Sequence, residues 1–237
     1  MAHKKKDVMD DVRIEVPHVK QQHNWDCGLA CVQMVLRYFS VPHEDLKEVC
    51  QRMNFGDSVW TIDLAYILRH YAINHLLCTI TVGVDKGYSS KSFYKNSFSA
   101  DELRVNKLFQ ECKEGGVNLE KRSVDIDEVL DHLERRQLII ALIDWSYLNC
   151  KWCARQRCFP DVSCLGRCAN VYQGHFIVVC GFNRKEKLIY YKNPSFGIEL
   201  CCCSVRNFDQ ARKSYGTDED FLFIYDRKYP SIKDDSA

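Results

Sequence analysis

Cys27 lies in the string QQHNWDCGLACVQMVLRYF, where a polar segment gives way to apolar residues at helical spacing: Leu29, Val32, Val35, Leu36 and Phe39. That pattern predicts a core helix opening at Asp26, with Asp26 as its N-cap and Cys27 as its first helical residue. Unpaired backbone N–H groups and the helix dipole favour negative charge there, which lowers a thiol pKa and raises the thiolate fraction. Gly28 leaves room for a substrate. Gln21, six residues upstream, can offer its side-chain amide beside the Cys27 N–H as an oxyanion hole. The competing reading is that Cys27 packs under the helix as a small hydrophobe.

A thiol nucleophile needs a base, and the chain has eight histidines. His3 lies in a polar terminus, His18 and His23 precede the helix, and His43, His70, His75 and His132 fit element ends or solvent faces. His175 opens the most apolar strand, in QGHFIVVCGF, where an ionisable side chain requires a reason. If that strand turns around Asn183 to Glu186 and returns through LIYYKN, Asn193 falls opposite His175 within one pairing step. An Asn side-chain oxygen can accept from one imidazole nitrogen and leave the other for the thiol. A core histidine and an Asn-Pro turn are the plainer alternatives.

A second group of cysteines, Cys150, Cys153, Cys158, Cys164 and Cys168, lies in an insertion at about 146–174, between two predicted strands. The spacing C-x2-C followed by C-x3-C suits tetrahedral zinc in part, with Cys150, Cys153, Cys164 and Cys168 as its ligands. The extra Cys158 and the basic Lys151, Arg155, Arg157 and Arg167 count against it, leaving reduced thiols or a redox-formed disulfide as alternatives. An insertion of this length entering at the His175 strand is expected to border the active-site cleft. Cys201, Cys202 and Cys203 alternate faces of a strand and are read as core.

The elements that must position these residues divide the chain. After Asp26 come helices over HEDLKEVCQRM and over TIDLAYILRHY, the latter capped by Thr61 with Leu64, Ile67, Leu68 and Tyr71 on its apolar face. A strand from His75, a Ser- and Lys-rich loop over 83–99, and helices at about 100–114 and 125–136 follow. The second half reads as strands from Gln137, His175, Lys187 and Phe221, with a helix over VRNFDQARKSY before the last. Helices first and mostly antiparallel strands afterwards predict an α+β fold. The expected organisation is a flexible segment at 1–13, one domain over 14–228 and a flexible tail at 229–237.

Composition narrows the function further. The 237 residues carry a formal net charge of +1, with 33 basic and 32 acidic side chains, which gives no electrostatic footprint for nucleic acid. No apolar run reaches the length of a membrane span, and the hydrophilic start lacks a secretory core. The expectation is a cytoplasmic or nuclear protein with no membrane or nucleic-acid partner, in which 14 cysteines are thiols, ligands or nucleophiles rather than stable disulfides.

The string QQHNWDCGLAC resembles the Q-x5-C motif with DCG-x-A-C of the bacteriocin-processing leader peptidases, and GHFIVV and NPSFG resemble their His and Asp-Pro-x-x-Gly segments. The resemblance implies a papain-like cysteine peptidase fold, a helical N-terminal part packed on a mostly antiparallel sheet. It implies Cys27 as nucleophile, Gln21 as oxyanion donor, His175 as base and Asn193 in the third position, where those peptidases usually carry Asp. It also implies a peptide or protein substrate and no required cofactor. HNWDCGLAC, YQGHFIVVCGFN and SYGTDEDFLFIY are similar to the eukaryotic guanylylate cyclase family over about residues 14–227, a label that implies cyclisation of GTP. Neither a paired-carboxylate metal site nor a G-x-x-x-x-G-K-[ST] loop is evident in the sequence.

Overall fold

The sheet is organised around one long strand, Gly174–Asn183, whose interior residues from His175 to Phe182 are all buried. A computed structural model describes residues 9–54, 58–85, 87, 98–153, 172–197 and 199–226. In chain order the elements are β1 (Asp11–Arg13), α1 (Cys27–Tyr38), α2 (Leu46–Met53), α3 (Thr61–His70), β2 (His75–Thr79), α4 (Phe98–Gln110) and β3 (Leu119–Lys121). They continue with α5 (Ile126–Glu134), β4 (Ile139–Asp144), β5 (Gly174–Asn183), β6 (Leu188–Lys192), β7 (Cys201–Ser204), α6 (Val205–Arg212) and β8 (Phe221–Ile224).

The strands form one sheet in the order β3-β2-β8-β4-β5-β6-β7, with β1 added beside β5. Among the described residues only β2 and β3 pair in parallel; the other pairings are antiparallel. The fold is therefore α+β, as expected. Buried on both faces, β4, β5, β6 and β8 read as continuous apolar runs rather than alternating ones. Helix α1 packs its buried face, including Val32, Val35 and Leu36, towards β5. Among the described residues no helix is long and apolar enough to cross a membrane.

Several local expectations change. The segment expected to be flexible up to residue 13 contributes β1, because Val12 buries completely and Val12 pairs with Phe182 on the edge of β5 that β4 leaves beyond Val179. The close approach needs Gly181: a Cβ there would lie 2.1 Å from the Val12 carbonyl oxygen. Asp26 occupies the N-cap position of α1 without capping it. Its carboxylate instead accepts the backbone N–H groups of Gln22 and His23, at 3.1 and 3.0 Å, and so folds the preceding loop. Thr61 is the first residue of α3 rather than its cap. Asp63 accepts the Trp60 N–H at 2.8 Å, and the Thr61 hydroxyl donates to Asp220 at 2.5 Å. His75 opens β2, an element end as expected, and both it and His132 are buried rather than solvent-facing. The His132 ring donates from Nε2 to the Leu138 and Ile224 carbonyls, joining the ends of β4 and β8. The tail at 229–237, the Ser- and Lys-rich stretch over 88–97, and Cys158, Cys164 and Cys168 lie outside the described residues.

Candidate active site

Cys27 opens α1, as its sequence context demanded, and its side chain turns inward, leaving the residue 7% exposed. The backbone N–H groups of Phe176 and Gly28 reach its sulfur and favour the thiolate. Burial outweighs them, with the nearby Asp26 carboxylate adding to it, and the thiol is pushed up to about 11. The helix N-terminus thus acts in the expected direction but loses to desolvation. The expected low thiol pKa is not a property of this resting state.

The contact with Phe176 brings its neighbour His175 to the same end of α1. Antiparallel pairing in β5 and β6 runs Val178 to Lys192 and Val179 to Tyr191, then slips at a bulge between Val179 and Gly181. Extending the upper register sets Asn193 across from Ile177, so His175 lies diagonally on the same face. The diagonal is short enough for a hydrogen bond. His175 Nε2 donates to Asn193 Oδ1 at 3.0 Å, a bond that leaves Nδ1 uncommitted. Burial holds the His175 imidazole neutral, down to about 4, against the opposing pull of Asn193. Burial therefore favours a neutral thiol and a neutral imidazole in the resting pair.

Gln21 is tied to the same turn. Its backbone N–H donates to the Pro194 carbonyl at 2.9 Å, and its side-chain oxygen accepts the Ser195 hydroxyl at 2.8 Å. Its amide nitrogen donates to the His23 carbonyl at 2.6 Å, so one amide hydrogen is committed to the loop and the other is left over. The geometry therefore unites Gln21 with Asn193 and His175, and Cys27 with the His175 strand.

Three partners carried no readable signal in the sequence. Ser195 donates its backbone N–H to Asn193 Oδ1 at 2.9 Å, which fixes the amide's orientation. His18, passed over as a residue preceding the helix, donates from Nε2 to the Asn193 carbonyl at 2.9 Å. Trp145 sets its ring edge-on to the His175 imidazole, with centroids 4.6 Å apart, and also packs on Phe196. Because Trp145 immediately precedes the cysteine-rich insertion and its N–H donates to the carbonyl of Gln173 near the insertion's other end at 2.8 Å, the stem of the insertion borders the histidine. A groove of about 720 Å³ runs alongside, lined by Gln21, Trp25, Asp26 and Leu29 and by α2 residues including Leu46 and Cys50. Cys27 lies next to this groove rather than on its wall.

Of the metal ligands expected in the insertion, Cys164 and Cys168 lie outside the described residues. Cys150 and Cys153 are buried together, and the third thiol beside them is Cys201 of β7, a residue read from sequence as core.

The whole arrangement is that of a papain-like α+β fold. A chain from Bacillus anthracis named as a C39-like peptidase superposes with a TM-score of 0.51 at 10% identity, covering 92% of this chain and 98% of its own. Within that fold class the chain has nearer kin. Residues 16–224 match the family described as Guanylylate cyclase, and Guanylyl cyclase 1 of Arabidopsis thaliana is 37% identical over 215 residues, 89% of this chain and 76% of the relative. The chain belongs to the guanylylate cyclase family.

Proposed function

We propose that this protein is a cysteine hydrolase that cleaves a peptide or isopeptide bond of a peptide or protein substrate through an acyl-thioester on Cys27. The observation that carries the reading is the His175 to Asn193 hydrogen bond at 3.0 Å on a strand whose next residue, Phe176, packs its ring against Gly28, the neighbour of Cys27. One plain core histidine would need no such orienting amide.

From the neutral resting pair, His175 Nδ1 takes the thiol proton as the sulfur attacks the scissile carbonyl carbon. The carbonyl π electrons move to oxygen. The Cys27 backbone N–H and the uncommitted Gln21 amide hydrogen are the donors proposed for that oxyanion. The imidazolium, oriented by Asn193, returns the proton to the leaving amine as the C–N bond breaks. Water, deprotonated by the same imidazole, then attacks the thioester carbonyl; the C–S bond breaks, the acid product leaves, and the imidazolium returns its proton to the Cys27 sulfur. The groove beside Gln21 and Leu29 is the proposed entry for the substrate chain, and docking there supplies the energy to separate charge in a site that otherwise disfavours it.

The test is an electrophilic peptide probe, with adduct sites mapped by mass spectrometry. Selective labelling of Cys27 that falls at least about tenfold in His175→Ala is expected. Uniform labelling of exposed cysteines would instead favour a silent interaction module on this fold.

A second reading, cyclisation of GTP, is favoured by the family to which the chain belongs. That reaction rests on carboxylate-held metal ions and has no use for a thiol. The acidic run at 218–220 has structural duties here: Asp218 and Glu219 adopt positive φ in a turn, and Asp220 is buried as an acceptor for Thr61. Cyclic GMP formation that scales with protein concentration, survives Cys27→Ala and is abolished by chelator would establish the cyclase and displace the hydrolase. Turnover indistinguishable from a mock preparation is the expected result.

A further inference from the structure

Away from Cys27, at the edge strand β7, three cysteine sulfurs converge. Cys150 and Cys153 sit on one tight turn after β4, and Cys201 begins β7; the three sulfurs lie within 4.8 Å of one another, with Cys153 and Cys201 at 3.4 Å. A tetrahedral zinc with Zn–S bonds of about 2.3 Å sets its sulfurs about 3.8 Å apart. The observed cluster needs shifts of less than about 1 Å to match that spacing.

The turn has the hydrogen bonding of a metal knuckle. The Cys153 backbone N–H donates to the Cys150 sulfur at 3.2 Å, a bond that holds a C-x2-C pair in its chelating conformation and tempers negative charge on sulfur. Independent contacts clamp the turn to the strand. Lys151 N–H donates to the Cys202 carbonyl at 2.8 Å, and the Asn207 side chain accepts the Asn149 N–H and donates to the Tyr147 carbonyl, both at 2.7 Å. Asn207 is itself held by the Ser204 cap of α6. The thiols therefore meet across two rigid segments about fifty residues apart in sequence. Hydrophobic packing alone does not require this degree of convergence.

We propose that Cys150, Cys153 and Cys201 bind one zinc ion as three thiolates, with a water molecule completing a tetrahedral site. Binding releases the three thiol protons to solvent, and no electron is transferred. Zinc is favoured over magnesium or calcium because all three donors are soft sulfurs. The ion would fasten the root of the insertion to the sheet edge, with Cys201 paired to Tyr191 of β6, two residues before Asn193. The proposal does not depend on the hydrolase reading.

The test uses the full-length chain purified in the presence of thiol reductant and without chelator. About one zinc per chain is expected by elemental mass spectrometry. After zinc is stripped and restored, zinc should protect Cys150, Cys153 and Cys201 together from alkylation while leaving Cys112 as reactive as before, a readout that needs no variant. Cys150→Ser and Cys201→Ser should weaken zinc binding on the order of a hundredfold, and Cys112→Ser should leave it intact. Absence of retained zinc together with absence of protection would overturn the proposal. So would protection that covers Cys150 and Cys153 but not Cys201, or undiminished binding in Cys201→Ser. A Cys153–Cys201 disulfide that persists under reductant would equally overturn it.

Discussion

The reactivity of Cys27 as a function of pH separates the two electrostatic states open to a Cys–His site. In an ion pair, thiolate is present from the lower pKa of the pair upward, and alkylation reaches a plateau through neutrality. Here burial pushes the thiol from an ordinary 9.0 to about 11, and the imidazole falls to about 4. A thiol two pH units above its ordinary value has about a hundredfold less thiolate at pH 7, equivalent to about 3 kcal/mol. The perturbation is pH alone, between 6 and 10 in steps of about one unit, with a small alkylating agent and quantification of the peptide that contains Cys27. The denatured chain supplies the reference for the same thiol. The folded rate should climb about tenfold per pH unit across the whole range, with no plateau, and lie at least about a hundredfold below the denatured rate at pH 7. Steric shielding lowers the rate uniformly and leaves the shape of the profile unchanged, so the shape decides. His175→Ala should leave the shape of the profile with this small reagent unchanged, because no ion pair exists to be lost; only the docked peptide probe, whose attack draws on His175 as base, should register the loss of the imidazole. A plateau beginning below pH 7 and abolished by His175→Ala would refute the reasoning and show that the helix N-terminus and imidazole overcome burial.

Other residues give sharp expectations. Asn193→Asp should lift the His175 pKa from about 4 towards its usual range, read by NMR titration of the ring, because a carboxylate stabilises imidazolium where an amide does so only weakly; an unmoved titration would show that Asn193 does not orient the ring in solution. Gly181→Ala would put a methyl group 2.1 Å from the Val12 carbonyl and should cost about 1–3 kcal/mol in urea unfolding while exposing the Ile14 amide to exchange; unchanged stability and exchange would refute the close approach of β1. His132 is held neutral to about 4 by burial, against its two carbonyl partners. Its contribution is complete above the unfolded value of about 6.5 and declines by about 1.4 kcal/mol per pH unit as pH falls towards 4. The stability gap between wild type and His132→Asn should accordingly narrow over that window, and a gap independent of pH would show that His132 does not titrate this way.

How much of this was legible in the sequence differs by residue. Apolar periodicity alone identified α1 and α3 and put Val32, Val35, Leu64 and Leu68 in the core, because a 3.6-residue stripe has one way to bury itself. Cys27 at a helix start and His175 on a buried strand were visible for the same reason. Their link to Asn193 followed from antiparallel pairing, since a hairpin's register is nearly fixed by its turn. What sequence could not decide were matters of environment and of distance along the chain. Helix dipole and burial pull a thiol pKa in opposite directions, and only the packing of β5 over Cys27 made burial prevail. Val12 looked like part of a polar terminus because the partner edge it needs, on β5, is about 170 residues away. The C-x2-C turn suggested a metal, but nothing local shows that Cys201, which pattern assigns to a strand core, lies beside it. Hydrogen bonds from His18 and Ser195 to Asn193 have no local signature either. Short-range pattern specifies which face of an element is buried, whereas the electrostatics of a site depend on which faces the fold then brings together.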